Sequence, residues 1–101
     1  MITYDILIQG INNGDIEECS FSVKGYNHYR YCTIRRVYLE YNGVKSFEHV
    51  ELCLTKDRSE ICRYYGHYSD GAKAFHIKGK GSFTLKEIWK QVEVTNIVYK
   101  K

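Results

Sequence analysis

Alternating apolar and polar positions dominate the chain and predict a protein built mainly of β-strands. The clearest case is the stretch from Tyr29 to Lys56, in which two β-type runs, YRYCTIRRVYLEY and VKSFEHVELCLTK, meet at Asn42-Gly43. Both central residues of a type I′ turn need a positive φ angle, which asparagine and glycine tolerate best. The sequence therefore predicts a long antiparallel hairpin with a two-residue loop.

The two-residue loop fixes the register of this hairpin, and the register assigns each side chain to one of two faces. Simple alternation away from the loop places Tyr38 opposite Phe47 and Arg36 opposite His49. One face then holds more aliphatic side chains and is predicted to meet the core. The other face is predicted to present a basic-aromatic surface, which consists of Arg30, Arg36, Tyr38, Phe47 and His49.

The rest of the chain shows shorter alternating runs separated by turn-forming residues. An N-terminal strand is predicted over 2–9, in a hairpin with a second strand whose Cys19, Phe21 and Val23 face inward. Further strands are predicted over 60–65, 74–79 and 92–99, the last with a bulge near Asn96. The pattern thus predicts six or seven antiparallel strands in a single domain over 1–101.

One segment departs from the alternating pattern. Thr84 and Glu87 have the spacing of a capping box, and Leu85, Ile88 and Trp89 follow at helical spacing. A short helix is therefore predicted over 84–91. The predicted fold class is mainly β (α+β), a barrel- or sandwich-like domain with this one helix near its C-terminal end.

Composition narrows the classes of function. The 101 residues carry a net charge of +3, ten tyrosines and no proline. The mild positive charge permits an anionic partner without requiring one, and tyrosine suits both half-buried strands and binding surfaces. No apolar run has membrane-spanning length, and the first residues lack the features of a signal peptide. A cytoplasmic protein without a membrane partner is expected.

The four cysteines and four histidines stand singly, with no Cys-x-x-Cys or similar metal-ligand spacing. No metal site and no cofactor are predicted, and in a cytoplasm the cysteines are expected to be reduced thiols. In the simple hairpin register Cys32 lies opposite Cys53, close enough for contact. The register leaves open whether these two cysteines form a disulfide.

A glycine-rich basic turn over 78–82 precedes the predicted helix. Backbone amides at a helix N-terminus bind phosphate, and Lys78, Lys80 and Lys86 would add positive charge there. The segment does not match the P-loop pattern, so a plain strand-to-helix turn with solvated lysines is the favoured interpretation.

The basic-aromatic surface has two interpretations of equal weight. Its rings and guanidinium groups would suit stacking on a base and pairing with its phosphates. Alternatively, the aromatic rings pack under a neighbouring element while the arginines reach water. Five residues on or beside the next predicted strand would extend the surface, namely Arg58, Arg63, Tyr64, Tyr65 and His67.

No catalytic motif occurs in the sequence, because it contains neither a nucleophile elbow nor carboxylates placed to act as a pair. We therefore predict a non-enzymatic binding protein. One hypothesis is a protein that binds a phosphorylated nucleotide or a nucleic acid. The alternative is an inhibitor that binds a protein effector through a tyrosine-rich surface or a sheet edge. A homodimer is compatible with either hypothesis.

Small, compact proteins without motifs resemble, in style and not in residues, phage-encoded counter-defence proteins that act in the host cytoplasm. By that analogy the chain would sequester a cyclic oligonucleotide or an ADP-ribose derivative, or block an effector such as a CRISPR nuclease. Nucleotide capture is the favoured hypothesis, because inhibitors that mimic DNA are expected to be acidic and this chain is basic.

Overall fold

A five-stranded antiparallel sheet, covered on one face, forms the body of the protein. The computed structural model describes residues 1–23, 31–56, 59–69, 71, 73–77, 79–91 and 94–101. The elements in chain order are α1 (Tyr4–Asn13), β1 (Glu18–Val23), β2 (Tyr31–Tyr41), β3 (Val44–Lys56), β4 (Ser59–Tyr65), β5 (Phe75–Ile77), β6 (Gly81–Phe83), α2 (Leu85–Gln91) and β7 (Val94–Lys100).

The strand order of the main sheet is β4-β3-β2-β1-β7, and β5 and β6 form a separate hairpin. Both helices and the β5–β6 hairpin contribute to one buried cluster on a single face of the main sheet, here called the covered face. The prediction of a mainly β, antiparallel domain with a short helix near its C-terminal end is confirmed. The described strands form an open sheet and not a closed barrel.

The helix near the C-terminal end, α2, forms where the sequence predicts it and begins with the predicted capping box. The Glu87 amide donates to Thr84 Oγ1 at 3.1 Å, and the Thr84 amide donates to Glu87 Oε1 at 3.0 Å, so the capping box is formed. Leu85 and Ile88 are fully buried, and the ring of Trp89 meets Phe21 edge-to-face at a centroid distance of 5.2 Å. The predicted apolar stripe of this helix therefore packs on β1.

The N-terminal segment is a helix and not the predicted strand over 2–9. Thr3 caps α1 by accepting from the Ile6 amide, and Gly14 ends it with φ at 92°. The buried residues Tyr4, Leu7 and Ile11 have helical spacing, which the alternation of isoleucines over 2–8 obscures. The predicted hairpin between this segment and β1 is therefore wrong, and β1 instead pairs with β2 and β7.

The predicted register of the central hairpin is confirmed near the loop and is wrong from Val37 onward. Asn42 and Gly43 have φ angles of 50° and 77°, as a type I′ turn requires. Pairing follows the predicted register as far as Tyr38 opposite Phe47, but Val37 then lies opposite His49. Glu48 is thus an extra residue on β3 and forms a β-bulge. Every β3 residue from His49 onward therefore lies on the opposite face from the one that simple alternation predicts relative to β2.

The bulge overturns the predicted assignment of the two faces. It moves the aliphatic residues Val50, Leu52 and Leu54 of β3 to the same face as buried Cys32 and Ile34 of β2. Simple alternation had separated these aliphatic groups, so the predicted core face is wrong. A second bulge, predicted near Asn96 in the last strand, is confirmed, because the register shifts there and Asn96 has a φ of 55°.

The predicted strand over 74–79 is present as β5, in which Phe75 and Ile77 are buried and His76 is exposed. The glycine-rich segment that follows is a hairpin turn and then strand β6, so it does not lead directly into the helix. Lys78 lies outside the described residues. The β5–β6 hairpin therefore covers part of the core.

Gly10 of α1 packs against Ile16 without room for a side chain. A Cβ added at Gly10 would lie 2.6 Å from Ile16 Cδ1 and 3.2 Å from Ile16 Cβ. We expect Gly10→Ala to lower the free energy of unfolding by about 1–2 kcal/mol, because overpacking outweighs the better helix propensity of alanine. Urea denaturation measures the change.

The matched control is Gly66→Ala, because a Cβ there meets no atom within 4 Å. This control should change stability by no more than about 0.5 kcal/mol. A Gly10→Ala protein as stable as the wild type would contradict the described packing of α1 on the segment that enters β1.

Candidate functional site

The long hairpin extends well beyond the rest of the sheet. Strand β1 pairs with β2 only as far as Arg35, and β4 pairs with β3 only from Val50. Residues 37–49 therefore form a two-stranded projection, which is here called the arm. The longest dimension of the molecule is 49 Å. Because an isolated hairpin is at best marginally stable in water, the arm needs an anchor.

Arg36 ties the base of the arm to the end of α1. Its Nη1 atom donates to the carbonyl oxygens of Ile11 and Asn12, at 2.6 and 3.1 Å. The last carbonyls of a helix have no partner within the helix and carry partial negative charge, which a guanidinium neutralises well. Arg36 is therefore a C-terminal cap supplied by a neighbouring strand.

Tyr38 and Phe47 complete this contact, and with Arg36 and Glu17 they are here called the arm anchor. Arg36 Nε donates to the Tyr38 hydroxyl, which in turn donates to Glu17 Oε1, each at 2.8 Å. The guanidinium carbon lies 4.0 Å from the centroid of the Phe47 ring, within cation–π range. Tyr38 and Phe47 also meet edge-to-face, and Lys45 Nζ lies 4.5 Å from the Tyr38 ring centroid.

His49 lies on the opposite face of the sheet, here called the open face, and not with Arg36 as predicted. Its Nε2 atom is 3.4 Å from Glu51 Oε1, and its ring meets Tyr64 edge-to-face at 5.0 Å. Arg35 holds the other oxygen of Glu51, with Nη2 and Nε at 2.8 and 2.9 Å from Oε2. The bulge at Glu48 is the physical reason for the separation of His49 from Arg36.

The Glu51 carboxylate is the centre of this open-face network. Burial alone raises the pKa of Glu51, but hydrogen bonds and charge from Arg35 and His49 outweigh burial and lower the pKa below its ordinary value. Glu51 is therefore a carboxylate at neutral pH, with both oxygens engaged.

A disulfide joins Cys53 and Cys62 across β3 and β4, so the expectation of four reduced thiols is wrong for this pair. Cys32 lies opposite Leu54 and not opposite Cys53, again because of the bulge. Cys19 and Cys32 are free and buried on the covered face. Burial raises the pKa of Cys19 to about 11, with Glu18 contributing, and that of Cys32 to about 12, so neither thiol ionises readily.

The other predicted site residues do not join one surface. On β4, Arg63 is exposed, while Tyr65 packs against the core and meets Tyr68 at 4.9 Å. His67 Nε2 is 3.3 Å from Asn12 Nδ2 in α1, and Lys80 is exposed in the β5–β6 turn. Arg30, Arg58 and Lys78 lie outside the described residues.

The end of the arm carries a group of exposed apolar residues that the sequence-based site did not include. Tyr41, Val44 and Leu39 are 79%, 67% and 56% exposed. Tyr41 pairs directly with Val44, and Leu39 lies on the same, open face. These three residues are here called the tip patch. The sequence does contain a signal for the tip patch. The two strands of the predicted hairpin are longer than the strands predicted to lie beside them, so the loop end of the hairpin is left uncovered.

A broad groove runs between α1 and β7. Apolar side chains line much of it, including Ile2, Ile6, Ile97 and Tyr99, and Lys101 is the single lysine or arginine in its lining. The described lining therefore offers no cluster of cations for a phosphorylated ligand.

No protein family, curated protein or solved structure matches the chain. Within the described ranges, neither helix is long and apolar enough to span a membrane.

The arm anchor predicts that Arg36 is a structural residue. We expect Arg36→Met to lower the free energy of unfolding by about 2–3 kcal/mol, because it removes charged hydrogen bonds to Ile11, Asn12 and Tyr38 while keeping an apolar stem. The midpoint of urea denaturation measures this loss.

Arg63→Met is the matched control, because Arg63 is exposed on the edge strand β4. It should change stability by no more than about 0.5 kcal/mol. Equal and small effects of the two substitutions would mean that the Arg36 guanidinium is free for a ligand, as the nucleotide hypothesis requires.

Proposed function

We propose that the chain is a non-enzymatic protein-binding module and that the arm is its contact element. The observation that carries this proposal is the tip patch, in which Tyr41, Val44 and Leu39 are each more than half exposed on one face of a projecting hairpin. Large apolar side chains grouped on a projection are typical of interaction surfaces, and tyrosine is enriched among the residues that dominate binding energy.

The backbone of the arm supports the same function. In the described part of the chain, no third strand pairs with 37–41 of β2 or with 44–49 of β3. Both edges can therefore accept a strand from a partner, and the tip patch would then give specificity beside the backbone hydrogen bonds. The arm anchor supports binding too, because an element held in one orientation loses less conformational freedom on association.

The charge of the arm favours a protein over a phosphorylated ligand. Between Val37 and His49 the sequence contains one lysine, Lys45, and two glutamates, Glu40 and Glu48. Capture of a nucleotide signal by Arg36, Tyr38 and Phe47 would require the guanidinium to leave two helix carbonyls. Of the two hypotheses from sequence, the protein-binding inhibitor is thus the better supported.

The partner implied by this chemistry is a protein with an apolar groove or an unpaired strand edge. Binding alone would block such a surface, so the chain would act stoichiometrically, as expected of a cytoplasmic inhibitor of an effector protein. A phage-type inhibitor of a defence effector is the specific form of this proposal that follows from the analogy drawn above.

The tip patch can be tested by a paired substitution. A photo-cross-linking amino acid at position 46, opposite Leu39 on the open face, identifies the partner in cells that express the chain. Affinity is then measured with the purified partner. We expect Tyr41→Ser with Val44→Ser to weaken binding at least tenfold, since each removes exposed apolar area that contact would bury.

The matched control is Tyr64→Ser with Val98→Ser, which removes the same residue types at positions 65% and 63% exposed outside the arm. This pair should leave affinity within about twofold of the wild type, a difference well under 1 kcal/mol. Equal losses in both pairs would contradict the proposal. A melting temperature raised by cyclic oligonucleotides or ADP-ribose derivatives, and unaffected by the tip substitutions, would support nucleotide capture instead.

A further inference from the structure

The disulfide on the open face lies beside a carboxylate, and together they form a set of potential metal ligands. Glu51, Cys53 and Cys62 each offer one ligand atom, and these atoms lie within 4.8 Å of one another. Glu51 and Cys53 are two positions apart on β3, so their side chains share a face, and Cys62 lies directly opposite Cys53 on β4. Three donors from two paired strands therefore converge on one point.

We propose that Cys53, Cys62 and Glu51 form a redox-gated site for a thiophilic divalent cation such as Zn²⁺. In the oxidised chain the two sulfur atoms are bonded to each other, which excludes the cation. In the reduced chain two thiolates and one carboxylate are the ligands, with an open fourth position. This inference is independent of the proposed function of the arm.

The gating reaction is an ordinary thiol–disulfide exchange. A cellular dithiol gives two electrons and two protons to the Cys53–Cys62 bond, which becomes two thiols, and the dithiol becomes a disulfide. The cation then displaces the two thiol protons, which pass to solvent. Tetrahedral Zn²⁺ with Zn–S bonds of about 2.3 Å holds two sulfur atoms about 3.7 Å apart. The two cysteines start from a Cα–Cα distance of 4.1 Å, so rotation of their side chains can supply this separation.

The surroundings of Glu51 suit a metal-bound carboxylate. Its Oε2 atom is 3.7 Å from Cys53 Sγ and accepts hydrogen bonds from Arg35, while Oε1 faces His49. Metal-bound carboxylates are typically held by such outer hydrogen bonds. Two thiolates and Glu51 carry three negative charges, and a divalent cation with Arg35 carries three positive charges. The local charge is therefore balanced when the cation is bound, as it is in the disulfide form, in which Arg35 balances the charge of Glu51.

The two remaining cysteines do not compete for the cation. Cys19 and Cys32 are buried on the covered face, away from Glu51. Burial raises the pKa of both thiols, so loss of their protons to a metal is unfavourable. Any thiolate–metal signal from the folded chain should therefore originate from Cys53 and Cys62.

Titration with Co²⁺ tests this site, because thiolate–cobalt bonds give charge-transfer absorption in the near ultraviolet and tetrahedral Co²⁺ absorbs in the visible. The full chain is reduced with a phosphine, freed of metal, and titrated with Co²⁺ and then with Zn²⁺. We expect one equivalent of Co²⁺ to develop both bands and Zn²⁺ to remove them. The same chain in its oxidised form is the matched control and should give no bands.

Two substitutions assign the ligands. Cys62→Ser should abolish the charge-transfer band of the bis-thiolate site, and Glu51→Gln should weaken Zn²⁺ affinity at least tenfold. Circular dichroism of each reduced variant verifies that it is folded. If a variant fails to fold, iodoacetamide protection supplies the readout, because Zn²⁺ should shield two thiols in the reduced wild type. The proposal is wrong if the reduced wild type gives no bands, or if Glu51→Gln binds Zn²⁺ as tightly as the wild type.

Discussion

The guanidinium of Arg36 contacts α1 and both strands of the arm, and it is linked to the entry of β1. It donates to the last carbonyls of α1, to Tyr38 within β2, and through the Tyr38 hydroxyl it is connected to Glu17 at the entry to β1. It also lies against the ring of Phe47 on β3. Since α1 helps to cover the sheet and β2–β3 forms the arm, this side chain links the covering helix to the base of the projection.

The same interaction explains why a protein with several arginines and many tyrosines need not bind phosphate. A cation stabilises this fold at the carbonyl end of α1, because the last carbonyl groups carry partial negative charge and have no partner within the helix. Arg35 is likewise paired with Glu51 on the open face. Part of the mild net positive charge of +3 is thus paired inside the structure, and the tip patch on the arm is apolar.

Much of the fold follows from local sequence signals. The Asn42-Gly43 turn and the Thr84–Glu87 capping box were predictable because each needs particular residues at fixed spacing. The N-terminal helix was not predicted, because isoleucines at alternate positions resemble a strand, although Thr3 and Gly14 carry cap signals. The bulge at Glu48 has a weaker signal, namely that simple pairing places Ile34 opposite a charged Glu51.

The bulge also decided how well the candidate site could be predicted. Arg36, Tyr38 and Phe47 do lie together, because β2 has no extra residue, so Arg36 and Tyr38 share a face, and Phe47 pairs with Tyr38 on the loop side of the bulge. His49 and the cysteines do not follow the prediction, since one extra residue reverses their facing. Whether a basic-aromatic group faces solvent or a helix depends on tertiary packing, which alternation along a strand does not encode.

Amide hydrogen exchange, measured residue by residue, tests most directly whether Arg36 couples the arm to α1. In an Arg36→Met chain we expect the last turn of α1 and the amides of the arm to lose protection together. The amides of β1 and β7 should lose only the protection that the lower global free energy of unfolding of this variant accounts for. If the end of α1 loses protection while the arm keeps its wild-type protection, Arg36 is a helix cap alone and the account of an anchored arm is contradicted.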